Sequence, residues 1–216
     1  MVQAKTYKKR FQNKAQAEKY SRRFEEGARK RIDQREQRAV RQIFAALDGC
    51  RSVLDVPSGA GRFVASLGNG HRLVIESDVA FAMVEMAGQR AREGGVRARC
   101  LQSDAGRLPF RNGAVDCIFC NRLLHHILPP AERALFLREF HRVTRRWLVI
   151  TFFDYKMFGA VRRALKTLKG RRPLYAEQPT FRQFEVEVQA CGFRVRDVVA
   201  TGPAWVAEKY LVLEKV

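Results

Sequence analysis

The stretch Val53-Leu54-Asp55-Val56-Pro57-Ser58-Gly59-Ala60-Gly61-Arg62-Phe63 carries the sharpest chemical signal in the chain. An apolar run delivers Asp55 to its end, and small residues follow where a helix would begin. Such a turn lets backbone approach a ligand closely. A dinucleotide-binding loop would want a third glycine near Val64, and a phosphate loop would want Gly-Lys-Ser/Thr; both are absent. An acid beside glycines without a phosphate cradle suits a ligand with a cationic amino-acid end. Further acids follow later apolar runs: Asp78, with Glu76 as its rival, and Asp104 in Ser103-Asp104-Ala105. A carboxylate at Asp78 can accept two hydrogen bonds from a vicinal diol; its plainer role would be a helix cap. Asn121 and the pair His125-His126 come after a fourth apolar run. For a proton-accepting base the candidates, in order, are His126, His125 and Asp154. Adjacent histidines point apart and no further ligand cluster is visible, so no metal is expected.

These residues need strands to carry them. Strand-like segments are predicted at 52–56, 72–75, 97–101, 115–120 and 147–153, with helices at 62–67, 81–93 and 130–143 between them. Near-continuous apolar strands alternating with helices predict an α/β fold, a mostly parallel sheet covered on both faces. Thr180 is placed to cap a helix that Gly192 closes, with Phe181, Phe184, Val188 and Cys191 on one side. Two last strands, 193–200 and 209–214, have no helix-length segment between them and so should pair antiparallel. Cys117 and Cys120 form a C-x-x-C, but no second pair stands at zinc spacing. Their place inside a strand predicts core packing.

Asp55-x-Pro57-Ser58-Gly59-x-Gly61 resembles the first motif of the class I S-adenosylmethionine-dependent methyltransferases, with proline at the first glycine position. The closest likeness is to the small-molecule, type 11 branch typified by quinone-biosynthesis enzymes, and it extends over roughly 50–155. The resemblance implies a Rossmann-like sheet with an antiparallel C-terminal strand. It also implies S-adenosyl-L-methionine as cofactor and S-adenosyl-L-homocysteine as product, with no metal. By the same resemblance Asp55, Pro57, Ser58, Gly59 and Gly61 form the cofactor turn, and Asp78 takes the ribose hydroxyls. Asp104 and the Ala105 amide read the adenine edge, and Asn121 lines the cleft. Arg145-Arg146-Trp147 stands where the family has a glycine-containing turn.

The formal net charge of +19 is a statement about partners. Residues 1–42 hold 14 Lys/Arg against 5 Asp/Glu, and 155–176 hold seven bases and no acid. Residues 1–48 are read as a basic helical extension covering the cleft, and 49–216 as the cofactor-binding domain. A basic lid, 155–178, would be inserted in that domain. Tyr20, Arg23, Arg31, Arg38, Tyr155 and Arg162 are then candidates for substrate contact. No apolar run is long enough to span a bilayer, and the cysteine usage suits a cytoplasmic protein. The expected function is in-line methyl transfer to an anionic small-molecule or lipid-linked acceptor, with peripheral contact at an anionic membrane surface. The alternatives are an RNA methyltransferase using the basic segments on the backbone, and a non-catalytic S-adenosylmethionine-binding protein. The Asn/Asp-Pro-Pro-aromatic signature of amino-group methylation is missing after Asn121, and paired catalytic cysteines are not evident.

Overall fold

The computed structural model describes Phe24 and residues 27–154, 178–203 and 206–216. Tyr20, Arg23, Tyr155, Arg162 and nearly all of the expected lid lie outside the described residues. The elements are α1 (Gly27–Ala46), β1 (Ser52–Asp55), α2 (Val64–Gly68), β2 (Leu73–Asp78), α3 (Phe81–Glu93), β3 (Ala98–Gln102) and β4 (Val115–Cys120). A 3₁₀ turn (Leu124–His126) follows, then α4 (Pro130–Val143), β5 (Thr144–Phe153), α5 (Phe181–Ala190), β6 (Phe193–Ala200) and β7 (Glu208–Lys215). The strands form one sheet in the order β3-β2-β1-β4-β5-β7-β6. Strands β1 to β5 are parallel, and β7 runs antiparallel to both β5 and β6. This is the Rossmann-like arrangement expected. Ligand-binding ends of such sheets lie at the carboxyl ends of the strands, where the order reverses at β1 and β4.

The sheet is buried on both sides because its strands are apolar at successive positions, not at alternate ones. Val53, Cys117, Phe119, Val149, Tyr210 and Val212 face one layer, packed with Val40, Ile43 and Phe44 of α1 and Leu47 just beyond it. Leu54, Ile118, Cys120, Leu148, Ile150 and Leu211 face the other, packed with α4 and α5 through Leu137, Phe140, Phe184 and Val188. Cys117 and Cys120 therefore point to opposite faces, both fully enclosed, as core residues. Helix α1 is thus part of the core. Its buried stripe, from Glu36 through Val40, Ile43, Phe44 and Leu47, follows helical periodicity.

Local signals explain most boundaries. Thr180 and Gln183 form a reciprocal capping box at the start of α5, the Thr180 hydroxyl accepting from the Gln183 amide at 3.1 Å. Strand β2 runs to Asp78, three residues beyond the prediction, because Glu76, Ser77 and Asp78 are buried despite being polar. Strand β5 begins at Thr144 with no glycine turn. Arg142 instead ties the end of α4 to the loop before β4, donating to Phe110 O at 2.6 Å and Leu108 O at 3.1 Å.

One glycine is fixed by sterics. Gly61 has φ +70°, and a Cβ there would lie 2.7 Å from Cα and 3.0 Å from Cβ of Ala87 on α3. Gly61→Ala should therefore cost roughly 2–4 kcal/mol, combining left-handed strain with overpacking against backbone. A thermal unfolding curve should show a midpoint lowered by about 5–15 °C.

Candidate active site

The carboxyl ends of β1 and β2 bring together the acids that the sequence singled out. Asp55 and Glu76 are register partners on neighbouring strands, and Asp78 ends β2. All three are buried, on the same side of the sheet as Val53 and Val74. The backbone turns away from β1 at a cis Val56–Pro57 peptide. The Ser58 amide then donates to Ser77 O at 2.8 Å, holding the turn against the end of β2. Asp78 clasps this turn. One carboxylate oxygen accepts from the Gly59 amide at 3.0 Å and the other from the Ala80 amide at 2.9 Å. Gly59 itself has φ +55°, and a Cβ there would meet nothing within 4 Å, so its side faces open space.

Neither Asp55 nor Glu76 has a hydrogen-bond partner of ordinary geometry among the described residues. Burial, reinforced by Glu76, pushes the Asp55 carboxyl well above the usual carboxylate range. Burial likewise pushes Glu76 up to about 8, the nearby Ser58 side chain opposing the shift and Asp78 adding to it. Asp78 is raised too, by burial, although the Ala80 and Gly59 amides oppose the shift. Unpartnered buried carboxylates beside an open-sided glycine turn are what a ligand with ammonium and hydroxyl donors would satisfy. The donor set therefore fits S-adenosylmethionine. Asp104, after β3, accepts from the Gly106 amide at 3.0 Å, and Ala105 is buried beside Leu108. The Ser103 amide donates to Asp78 O at 3.0 Å, which draws this segment to the same rim.

The other candidates are distributed differently. The Asn121 side chain accepts from the Tyr210 hydroxyl at 3.3 Å, beneath the rim. His125 and His126 lie in the turn after β4 with ring centroids 3.8 Å apart, and His125 also sets its ring edgewise on Phe153. Burial, then the neighbouring His126 and Arg122, lower the His125 pKa to about 3, so it is neutral and a feeble proton acceptor. His126 is exposed. Asp154 is engaged by Lys209 at 3.2 Å. Arg133, itself buried, fastens the histidine turn by donating to Ile127 O at 2.7 Å, while its fork pairs with Glu187 of α5. Arg31 and Arg38 stand on the exposed side of α1, whereas Glu36, with the partly buried Asp33 and Gln37, turns inward.

Sequence reasoning missed a second polar assembly next to the acids. Arg62 pairs with Glu36 at 2.5 Å and Asp33 at 2.6 Å, and Arg122 pairs with Glu36 and, at 2.9 Å, with Glu208. The Phe24 ring lies 4.4 Å from the Arg62 guanidinium. Burial works against charge on Glu36, yet Arg62 and Arg122 hold its pKa below the ordinary value. Burial and Glu36 push Glu208 up to about 8. Among the described residues no group of three potential metal ligands comes together. No helix among them is long and apolar enough to cross a membrane.

Residues 53–146 match the family model of a methyltransferase domain. No curated protein matches the chain in sequence. Among solved structures, the fold is shared with magnesium protoporphyrin IX methyltransferase (ChlM) from Synechocystis PCC 6803 with bound SAH. The TM-score is 0.78 at 21% identity, over 98% of this chain and 100% of that one. The same enzyme with bound SAM gives 0.72 at 18% identity, over 99% and 97%. The mitomycin 7-O-methyltransferase MmcR gives 0.65 at 16%, covering 83% of this chain and 54% of that one. The match makes residues 53–146 a methyltransferase domain, on a fold shared with solved S-adenosylmethionine-dependent methyltransferases.

The buried acids make a checkable statement about pH. Folded Glu76 titrates near 8 against an ordinary value of 4.5, so the fold favours its protonated form. Its contribution to stability is complete below pH 4.5 and is lost as pH rises through 8. Glu76→Gln, always neutral, should leave the cofactor-free protein unchanged at pH 4 and stabilise it at pH 8.5 by up to about 4 kcal/mol. Thermal denaturation of both proteins from pH 4 to 9 reads the difference in slope.

Proposed function

We propose that the chain is a methyltransferase that takes its methyl group from S-adenosylmethionine and transfers it to an anionic small-molecule acceptor held over the carboxyl ends of β4 and β5. The observation that carries the cofactor half of this reading is the set of buried acids Asp55, Glu76 and Asp78 around the open-sided turn at Gly59. The acceptor half draws on the +19 charge and on the small molecules named for the structural neighbours, magnesium protoporphyrin IX and mitomycin. Lipid-linked acceptors and contact with an anionic membrane surface belong to the same reading, the basic segments serving both.

When bound, the cofactor supplies a sulfonium methyl already activated for displacement. The chain's part is to hold, align and dehydrate. Asp78 keeps one lone pair on each oxygen beyond those used by Gly59 and Ala80, enough to accept both ribose hydroxyls. Asp104 and the Ala105 amide take the adenine edge, and Pro57, Ser58, Gly59 and Gly61 shape the turn. Asp55 answers the ammonium end, and Asn121 closes the floor beside it. A base matters only where the acceptor's proton must leave early, as for a hydroxyl. His126, exposed at the rim, takes that role ahead of the buried His125 and the Lys209-paired Asp154. Tyr20, Arg23, Arg31, Arg38, Tyr155 and Arg162 remain assigned to the acceptor's negative charge.

Two measurements test this. Asp78→Ala should weaken S-adenosylhomocysteine binding by about 10- to 100-fold in calorimetry, the loss of charged hydrogen bonds worth roughly 1.5–3 kcal/mol each. An acceptor screen with labelled methyl donor, run on fractions of RNA, lipid and small anionic molecules, should label the last. Label in RNA alone would overturn the acceptor half. With the acceptor in hand, His126→Ala should lower kcat about 100-fold or more while His125→Phe changes it little.

A further inference from the structure

Two loops border the cofactor turn, and each carries an arginine at its outer end. Arg62 directly follows Gly61, and Arg122 directly follows Asn121. Both guanidiniums converge on one carboxylate. Glu36 lies on α1, fully buried, with one oxygen 2.5 Å from Arg62 and the other against Arg122. Arg122 is further fixed by a two-pronged bond to Glu208, with Nε and Nη2 each at 2.9 Å from a carboxylate oxygen. Its backbone is held left-handed at φ 57°, and its amide donates to Thr151 Oγ1 at 2.7 Å. Neighbouring contacts repeat the link on the other loop. Gln37 donates to Arg62 O at 2.7 Å and accepts from Ser66 Oγ at 2.5 Å.

An enclosed ion cluster of this kind adds little net stability, because desolvation offsets the attraction. Its better-attested use is to select one arrangement over its near neighbours. Here the arrangement selected is the spacing between the loop after β1 and the loop after β4. We propose that Glu36 is a positioning residue that sets this spacing, so that cofactor affinity depends on a carboxylate of the N-terminal helix that does not touch the cofactor. The inference rests on the reading that the Gly59–Gly61 turn and Asn121 border the cofactor. It turns α1 from a cover into a ruler for the site.

The test compares variants of the full chain by S-adenosylhomocysteine calorimetry and by thermal unfolding. Glu36→Asp keeps the charge and shortens the reach, and Arg122→Lys keeps the charge and loses the fork. Each should raise Kd by about 10-fold, equivalent to roughly 1.4 kcal/mol. Ile43→Ala sits on the same helix and deletes buried side chain without altering any ion pair or hydrogen bond of Glu36, Arg62 or Arg122. It should lower the unfolding midpoint by about 5–15 °C yet leave Kd within about 2-fold. The proposal is overturned if both conservative variants bind like the unaltered protein. It is equally overturned if Ile43→Ala weakens binding as much as they do, since general loosening of α1 would then suffice. Absence of binding by the unaltered protein would instead remove the cofactor reading beneath it.

Discussion

Three carboxylates are buried side by side at the carboxyl ends of β1 and β2, and among the described residues none of them has an ion pair of its own. Each is costly in isolation, because burial strips water from a group that needs it. The fold meets that cost in two ways. Two backbone amides hold Asp78, while Asp55 and Glu76 are shifted toward their protonated forms. A ligand bringing an ammonium group and a pair of hydroxyls removes the penalty altogether. The electrostatic cost is thus concentrated at one place, which the sheet and the left-handed glycines keep in shape.

In the neighbouring Glu36 cluster the same residue types are handled in the opposite manner. Glu36 and Glu208 are as deeply enclosed, but two guanidiniums attend them. The contrast separates two kinds of polar interior. Acids left without cations are the ones assigned to the proposed cofactor site, and acids matched with arginines fasten the framework. Arg133 shows the second pattern again, joining the histidine turn to α5 through Glu187. A protein with so large an excess of positive charge can satisfy its structural acids internally and still leave the ligand-facing ones bare.

Much of this was legible in residue order. Asp55, Gly59 and Gly61 stood between an apolar run and a helix, and Asp78 stood five residues before Met83, so both could be placed on strand ends. Val115–Cys120 and Pro130–Val143 were bounded by their own patterns, and the capping threonine and closing glycine framed α5. The end of β2 was cut short because Glu-Ser-Asp reads as loop to any argument based on polarity. The Glu36 cluster was missed for a different reason. Arg62 lies 26 residues on, but Arg122 is 86 away in sequence and Glu208, which fixes Arg122, is farther still. Yet a signal existed. Glu36 falls on the same helical stripe as Val40, Ile43, Phe44 and Leu47, so an acid was sitting on an apolar face. Counting charges drew attention to Arg31 and Arg38, whereas the phase of the helix pointed to Glu36.

The placement of β7 between β5 and β6 has its own consequence for how the chain reaches this state. Seven register pairs join β5 to β7, and β6 reaches the sheet only through β7. Until residues 208–215 have left the ribosome, the long apolar β5 presents an open hydrogen-bonding edge. Such an edge is a template for wrong partners. The growing chain is therefore most exposed to aggregation while β5 is made and residues 208–215 are not, when the strands that carry Asp55, Asp78 and Asn121 already exist.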